Sequence, residues 1–205
     1  MVALILVLAG VNGAGKSSIG GANLRAKGQD WYNPDEVARE MRLRFPERQS
    51  GDIDSQVWRE GLNRLKQAIH TNTNFAFETT LGGHSITATL LDAMAAGVPV
   101  RVWCCGLVSP ELHIERVAAR VARGGHDIPE HKIRERYALS MRNLCRLAPG
   151  LDKLAVYDNS MPLGSNGLPD IRELVLVEKG KIIRLDTNMP AWARPVAAVC
   201  LQHFK

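Results

Sequence analysis

The stretch LVLAGVNGAGKSS opens the chain, and Gly10 to Ser17 match G-x-x-x-x-G-K-[ST] in full. Each residue type there suits the holding of a nucleoside triphosphate. Glycines let the backbone curl so that its N–H groups point at phosphate oxygens, and the helix starting at Lys16 adds its positive end. Lys16 is placed to reach the β- and γ-phosphates, and the Ser17 hydroxyl to ligate Mg²⁺. The expected nucleotide-binding residues are therefore Gly10, Val11, Asn12, Gly13, Ala14, Gly15, Lys16, Ser17 and Ser18. An apolar run before the loop and a helix after it separate this pattern from an ordinary glycine-rich turn, so ATP or GTP binding is expected.

Two acids follow at strand ends, where the chemistry of a parallel sheet gathers. Asp35 comes after a short second strand, and Glu78 ends a third. Phosphoryl transfer to a hydroxyl needs a carboxylate that positions the hydroxyl and takes its proton, and Asp35 is the expected base. Asp35 also suits a helix N-terminus, where a carboxylate complements the dipole. Glu78, Thr79 and Thr80 are candidates to hold substrate hydroxyls or Mg²⁺-bound water. Arg116 and Arg120 stand i, i+4 on one helix face, where two guanidinium groups can close over phosphates and stabilise the transferring charge. Arg123 precedes Gly124-Gly125, a hinge for such a lid. His126 is a candidate for phosphate contact or for capping the next helix.

The elements that must position these residues alternate. Strands are expected over Val2 to Leu8, Asp30 to Asn33, NFAFETT, VPVRVWCCGLV and LAVYDNS. Helices are expected from Lys16 towards Gly28, over NPDEVAREMRLRF, over DSQVWREGLNRLKQAIH, from Ser85 to Ala96, from about Pro110 to Ala122 and from Pro129 to Leu147. In the third of these, Trp58, Leu62, Leu65 and Ile69 share one face. ELVLVEKGKIIRL reads as a hairpin turning at Lys179-Gly180. The expectation is an α/β three-layer P-loop NTPase fold: a mostly parallel five-stranded sheet with helices on both faces, plus a C-terminal β-hairpin. The 205 residues fit one domain, 1–205, with a basic lid segment at about 110–147 and a hairpin and tail at about 171–205 that cover a sheet edge.

Net charge is +5, and the window from Arg116 to Arg146, with eight Lys/Arg against three acids, carries an excess of the same size. Without aromatics among these arginines, base stacking has little to use, which argues against a nucleic-acid partner. Four cysteines without metal spacing read as buried thiols of a reducing compartment, and no segment reads as a signal peptide or membrane span. A cytoplasmic location is expected. Transporter-type ATPases also write their loop NGAGKS, but they need an LSGGQ-like signature and an acid pair after the next apolar strand. Leu81-Gly82-Gly83-His84 is a faint echo of the first, and VRVWCCGLV ends without any acid.

The order GVNGAGKSS, NPDEVAR, FETTLGG, HIERVAARVARGGHDIPEHKIRERY, SMRNL and VYDNS resembles the zeta toxin family of small P-loop kinases, in its compact GGHDIP branch. These motifs reach from about Leu4 to Ser160. The resemblance implies ATP-dependent, Mg²⁺-assisted transfer of the γ-phosphate to a hydroxyl of a small-molecule acceptor; the family's characterised toxins act on the sugar 3′-hydroxyl of UDP-N-acetylglucosamine. By motif match it implies Asp35 as catalytic aspartate, Lys16 as loop lysine, Glu78 and Thr80 on the substrate side, and Arg116 as a lid arginine. RGGHDIP is shorter than the matching segment of those toxins, so the second lid residue is Arg120, Arg123 or His126, the first two preferred. An antitoxin, where one exists, is expected as a separate chain. The alternatives are a kinase for another alcohol (an antibiotic, a nucleoside, a shikimate-like compound) or a non-catalytic nucleotide-binding interaction module.

Overall fold

A computed structural model describes residues 3–26, 28, 30–162 and 170–205; Val2, where the first strand is expected to start, lies outside them. The elements are β1 (Ile5–Ala9), α1 (Ala22–Ala26), α2 (Pro34–Arg44), α3 (Ser50–His70), β2 (Phe75–Thr79), α4 (His84–Ala95), β3 (Val100–Gly106), α5 (Pro110–Val121), α6 (Glu130–Leu147), β4 (Lys153–Asp158), β5 (Arg172–Glu178), β6 (Lys181–Leu185) and α7 (Arg194–His203). A wide π-helical stretch, Lys16–Gly21, precedes α1.

The strands form one six-stranded sheet, ordered β2-β1-β3-β4-β5-β6. Pairing is parallel from β2 through β4 and antiparallel from β4 onward. The expected strand at Asp30 to Asn33 is reduced to one bridge, Tyr32 to Phe77 beside β2. Asn33 and Pro34 end it, because Pro34 lacks a ladder donor and starts α2 under the Asn33 cap. Four parallel strands thus stand where five were expected. The hairpin supplies the fifth and sixth by pairing directly with β4 rather than standing apart from the sheet. Its turn falls at Lys179-Gly180, both at positive φ (50° and 74°), as tight hairpin turns require.

Alternate residues of β1 feed two separate cores. Ile5, Val7 and Ala9 join the large cluster formed with α3, α4, α6 and α7, whereas Leu8 packs with Leu24 of α1 and with Trp31. On α3 the buried stripe runs through Ile53, Val57, Gly61, Leu62, Leu65 and Ala68, with Ile69 packed against the core, so Leu62, Leu65 and Ile69 share the expected face. Trp58, expected on the core face, is 47 % exposed. The Tyr32 ring packs on the same helix, so close to Gly61 that a Cβ there would sit 2.7 Å from it.

Candidate active site

β1 delivers the chain into a loop that only glycine could form at its entrance. Gly10 has φ +142°, and a Cβ there would lie 2.2 Å from the Cys105 carbonyl oxygen at the end of β3. The loop is held from behind through two of its carbonyls. Ala14 O accepts from Asn159 Nδ2 at 3.0 Å and from Cys105 Sγ at 3.1 Å. Asn12 O lies 2.8 Å from His113 Nδ1 on α5. A carbonyl can only accept, so Nδ1 carries the proton and Nε2 is left as the acceptor. Burial, with smaller contributions from Lys16 and Arg116, outweighs that bond and pushes the His113 pKa down to about 4.

Lys16 begins the π-helical stretch and turns its ammonium inward. Nζ lies 3.4 Å from Glu78 Oε1 and 3.5 Å from Val11 O, and both side chains are buried. Parallel pairing of β1 with β2 sets Glu78 opposite Leu8. Ser17 Oγ donates to Glu78 Oε2 at 2.8 Å, and Asn33 Nδ2 reaches the same hydroxyl at 3.5 Å. The wide helical turn brings Gly20 and Gly21 against Trp103 and Trp31, where side chains would collide with the rings.

Asp35 occupies the first turn of α2, its N–H bound by the Asn33 side chain at 3.0 Å. Its carboxylate faces the cavity beside Lys16 and accepts from Arg120 at 3.4 Å. Arg120 also donates to the His126 carbonyl at 2.7 Å, which ties α5 to the segment before α6. That cavity, about 440 Å³, is lined by Lys16, Asp35, Glu78, Thr79, Thr80 and His126 together. Burial, with the nearby Arg42 charge, lowers the His126 pKa. The hydroxyls of Thr79 and Thr80 accept from the N–H groups of Leu81 and Gly82, at 3.1 and 3.3 Å, which fixes the turn after β2.

Other expected residues stand apart from the cavity. Arg116 lies on the opposite flank of the loop and donates to the Met161 carbonyl at 3.3 Å. Arg123 is exposed and bonds the Ala119 carbonyl of its own helix. Ser18 is exposed as well. Conversely, Asn12, Trp58, Lys132 and Arg136 line the cavity, although only Asn12 is an expected site residue. Asn159, which clasps Ala14, follows the C-terminal end of β4, so the strand-end rule that selects Asp35 and Glu78 selects it too. His113 and Arg136 fall inside the HIERVAARVARGGHDIPEHKIRERY stretch without being singled out by spacing, because both meet the loop from helices about a hundred residues away.

A family model described as an AAA domain, AAA_33, matches residues 5–139. The chain belongs to the AAA_33 family. This AAA_33 chain is 32 % identical over 128 residues to an uncharacterised protein of Haemophilus influenzae, covering 62 % of this chain and 88 % of that one. Its fold is similar to that of a chain in the crystal structure of AvrRxo1-ORF1:-ORF2 with ATP (TM-score 0.64, 13 % identity), over 100 % of this chain and 77 % of that one. It is also similar to a chain of the PezAT chromosomal toxin–antitoxin system of Streptococcus pneumoniae (TM-score 0.51, 15 % identity), over 77 % and 67 %. The AAA_33 chain thus has a P-loop kinase-like fold. Among its described residues no helix is long and apolar enough to cross a membrane.

Proposed function

We propose that this chain is a Mg²⁺-dependent ATP phosphotransferase of the zeta-toxin type that moves the γ-phosphate to a hydroxyl of a small molecule. The observation that carries this reading is one cavity lined together by Lys16, Glu78 and Asp35. Lys16 and the loop N–H groups hold the phosphates. Asp35 takes the acceptor proton as the hydroxyl oxygen bonds the γ-phosphorus and the bond to the β-phosphate oxygen breaks, releasing ADP. Arg120, with Arg116 from the far flank, balances charge on the transferring group, and Thr80 and His126 contact the acceptor.

The donor set fits Mg²⁺. The Ser17 hydroxyl and the Glu78 carboxylate converge at 2.8 Å, and among the described residues no group of three or more His, Cys, Asp or Glu could hold a metal ion. Mg²⁺ takes only one or two protein oxygens and fills its octahedron with phosphate and water. Bound there, it would neutralise charge on the β- and γ-oxygens, with Ser17 as its ligand and Glu78 reaching it directly or through water.

The sugar 3′-hydroxyl of UDP-N-acetylglucosamine is the first acceptor to test, and the motif order from GVNGAGKSS to VYDNS supports it. The PezAT neighbour supports a separate antitoxin chain as partner. Protein, ATP, Mg²⁺ and UDP-N-acetylglucosamine followed by ³¹P NMR should yield a new sugar phosphomonoester resonance. It should be absent without acceptor and lost by a few orders of magnitude in rate in Asp35→Ala, which should still bind nucleotide. Near-normal transfer by the variant refutes the base assignment. ATP turnover without the product keeps the phosphotransferase and moves the acceptor to another alcohol, whereas nucleotide binding without turnover favours an interaction module.

A further inference from the structure

Behind the phosphate loop lies a second cavity, about 250 Å³, that shares no lining residue with the one holding Lys16 and Asp35. Its floor is Gly10 and Val11 of the loop and the end of β3 from Cys104 to Leu107, all buried. Its walls come from α6 and from the short turn before α7 (Ala191–Ala193), and the exposed Ala138, Ala191 and Pro195 mark its mouth. No Asp, Glu, Lys or Arg lines it, so it has no charge to offer a phosphate. Among the described residues no group of three or more His, Cys, Asp or Glu could hold a metal ion there either. Two of its side-chain polar groups are already spent: Tyr137 donates to the Leu107 and Val108 carbonyls at 3.3 and 3.0 Å, and Cys105 Sγ to Ala14 O. Two others, His113 Nε2 and Trp192 Nε1, are buried without a partner among the described residues. The His113 ring gives its Nδ1 proton to Asn12 O, so its Nε2 edge faces away from that carbonyl and can only accept. Trp192 packs its ring on Gly106, where a Cβ would come within 2.4 Å of it, and its N–H can only donate. Buried polar atoms of this kind are costly until something pairs them.

We infer that this cavity is a second ligand site, for one small uncharged ring compound of the phenol class, whose O–H donates to His113 Nε2. An apolar cavity of about 150 Å³ is enough for benzene, so the volume here admits one ring with a short substituent. The apolar lining excludes an ionised ligand, and the unpaired Nε2 requires a donor on it. The unpaired Trp192 N–H favours a hydroxyl over a pyrrole-type N–H, because only the hydroxyl can also accept. Through the His113 ring the occupant stands one hydrogen bond from Asn12 O and the phosphate loop. The site is independent of the phosphotransferase reading, which concerns the other cavity.

The test compares phenol with toluene, which has the same size and shape but no hydroxyl, in the absence of nucleotide. Calorimetry gives the affinities, and nitrogen NMR of protein carrying ¹⁵N-histidine reads the site itself, since a ring nitrogen that accepts a hydrogen bond changes its resonance. Phenol should bind one to one and shift the His113 Nε2 resonance along the same saturation curve, with Nδ1 still protonated. Toluene is the more apolar of the two, yet it should bind about tenfold more weakly, because it leaves Nε2 desolvated and unpaired. His113→Asn keeps a donor for Asn12 O but loses the acceptor, so it should weaken phenol about tenfold and remove its advantage over toluene. Ala138→Trp crowds the mouth from an exposed position without touching a polar partner, and it should weaken both compounds. Toluene binding as well as phenol to the wild-type chain would make the cavity a plain apolar hollow and overturn the inference. Saturable phenol binding that leaves the His113 resonance unmoved, or that is unchanged in Ala138→Trp, would put the ligand elsewhere and overturn it too. So would the absence of phenol binding at millimolar concentrations.

Discussion

His113 offers the sharpest test of how the phosphate loop is held. The ring is 1 % exposed, gives its Nδ1 proton to Asn12 O, and leaves Nε2 without a partner among the described residues. A second proton would have to sit on that buried nitrogen, and burial pushes the pKa down from 6.5 to about 4. Unfolded chain therefore binds the proton as pH falls through 6.5, while folded chain stays neutral until about 4. Stability is fully present above pH 6.5, is lost progressively below it, and levels off under pH 4. Integrating between pH 7.5 and 5.0 gives a loss of about 2 kcal/mol from this one ring. Urea unfolding at fixed ionic strength at the two pH values measures it, with His113→Asn as control, since an amide nitrogen can still donate to Asn12 O and does not titrate. The variant should lose about 2 kcal/mol less than wild type over that interval. Equal losses in both proteins would refute a buried, neutral His113 behind the loop.

Asn159→Ala removes a buried donor from Ala14 O and should cost ~1–2 kcal/mol in thermal unfolding, with weaker binding of a fluorescent ATP analogue. Gly10→Ala should destabilise by ~2 kcal/mol or more, because φ is positive and Cβ meets the Cys105 carbonyl; near-native melting would show that the β1 exit is not as tight as described. Arg120→Ala should slow phosphate transfer, whereas Arg123→Ala, on an exposed side chain bonded to its own helix, should leave rate unchanged and stability within ~0.5 kcal/mol. Equal rate losses in the two would place the lid differently.

Much of this arrangement is written locally. The Gly10 to Ser17 pattern, the Asn33 cap before Pro34 and the Lys179-Gly180 turn each depend on a few adjacent residues, and the structure has each where the residues imply. Elements whose state depends on what packs beside them were less legible. Asp30 to Asn33 has strand-forming residues, but Pro34 leaves it room for only one bridge. Trp58 sits at core spacing on α3 with Leu62 and Leu65, which are buried, yet it is 47 % exposed and lines the cavity, which no periodicity shows.

The same division separates the two halves of the candidate site. Lys16 follows β1 and Glu78 lies in the neighbouring β2, while Asp35 follows the Tyr32 bridge beside β2, so strand adjacency and that one bridge assemble them. Arg136 and His113 come from α6 and α5, and their contacts to Asn12 span 124 and 101 residues. Asn12 is where the halves meet: its carbonyl is gripped by a neutral histidine and its amide oxygen by a permanent cation. A shift of α5 or α6 therefore either moves the phosphate loop or breaks one of these two bonds. Of the basic residues that look like a mobile lid in sequence, Arg136 is fastened to Asn12 of the loop and Arg120 to the Asp35 carboxylate. Closure over an acceptor would have to release the second of these while the first holds, which makes the Asp35–Arg120 pair, at 3.4 Å and partly exposed, the weaker link of the two.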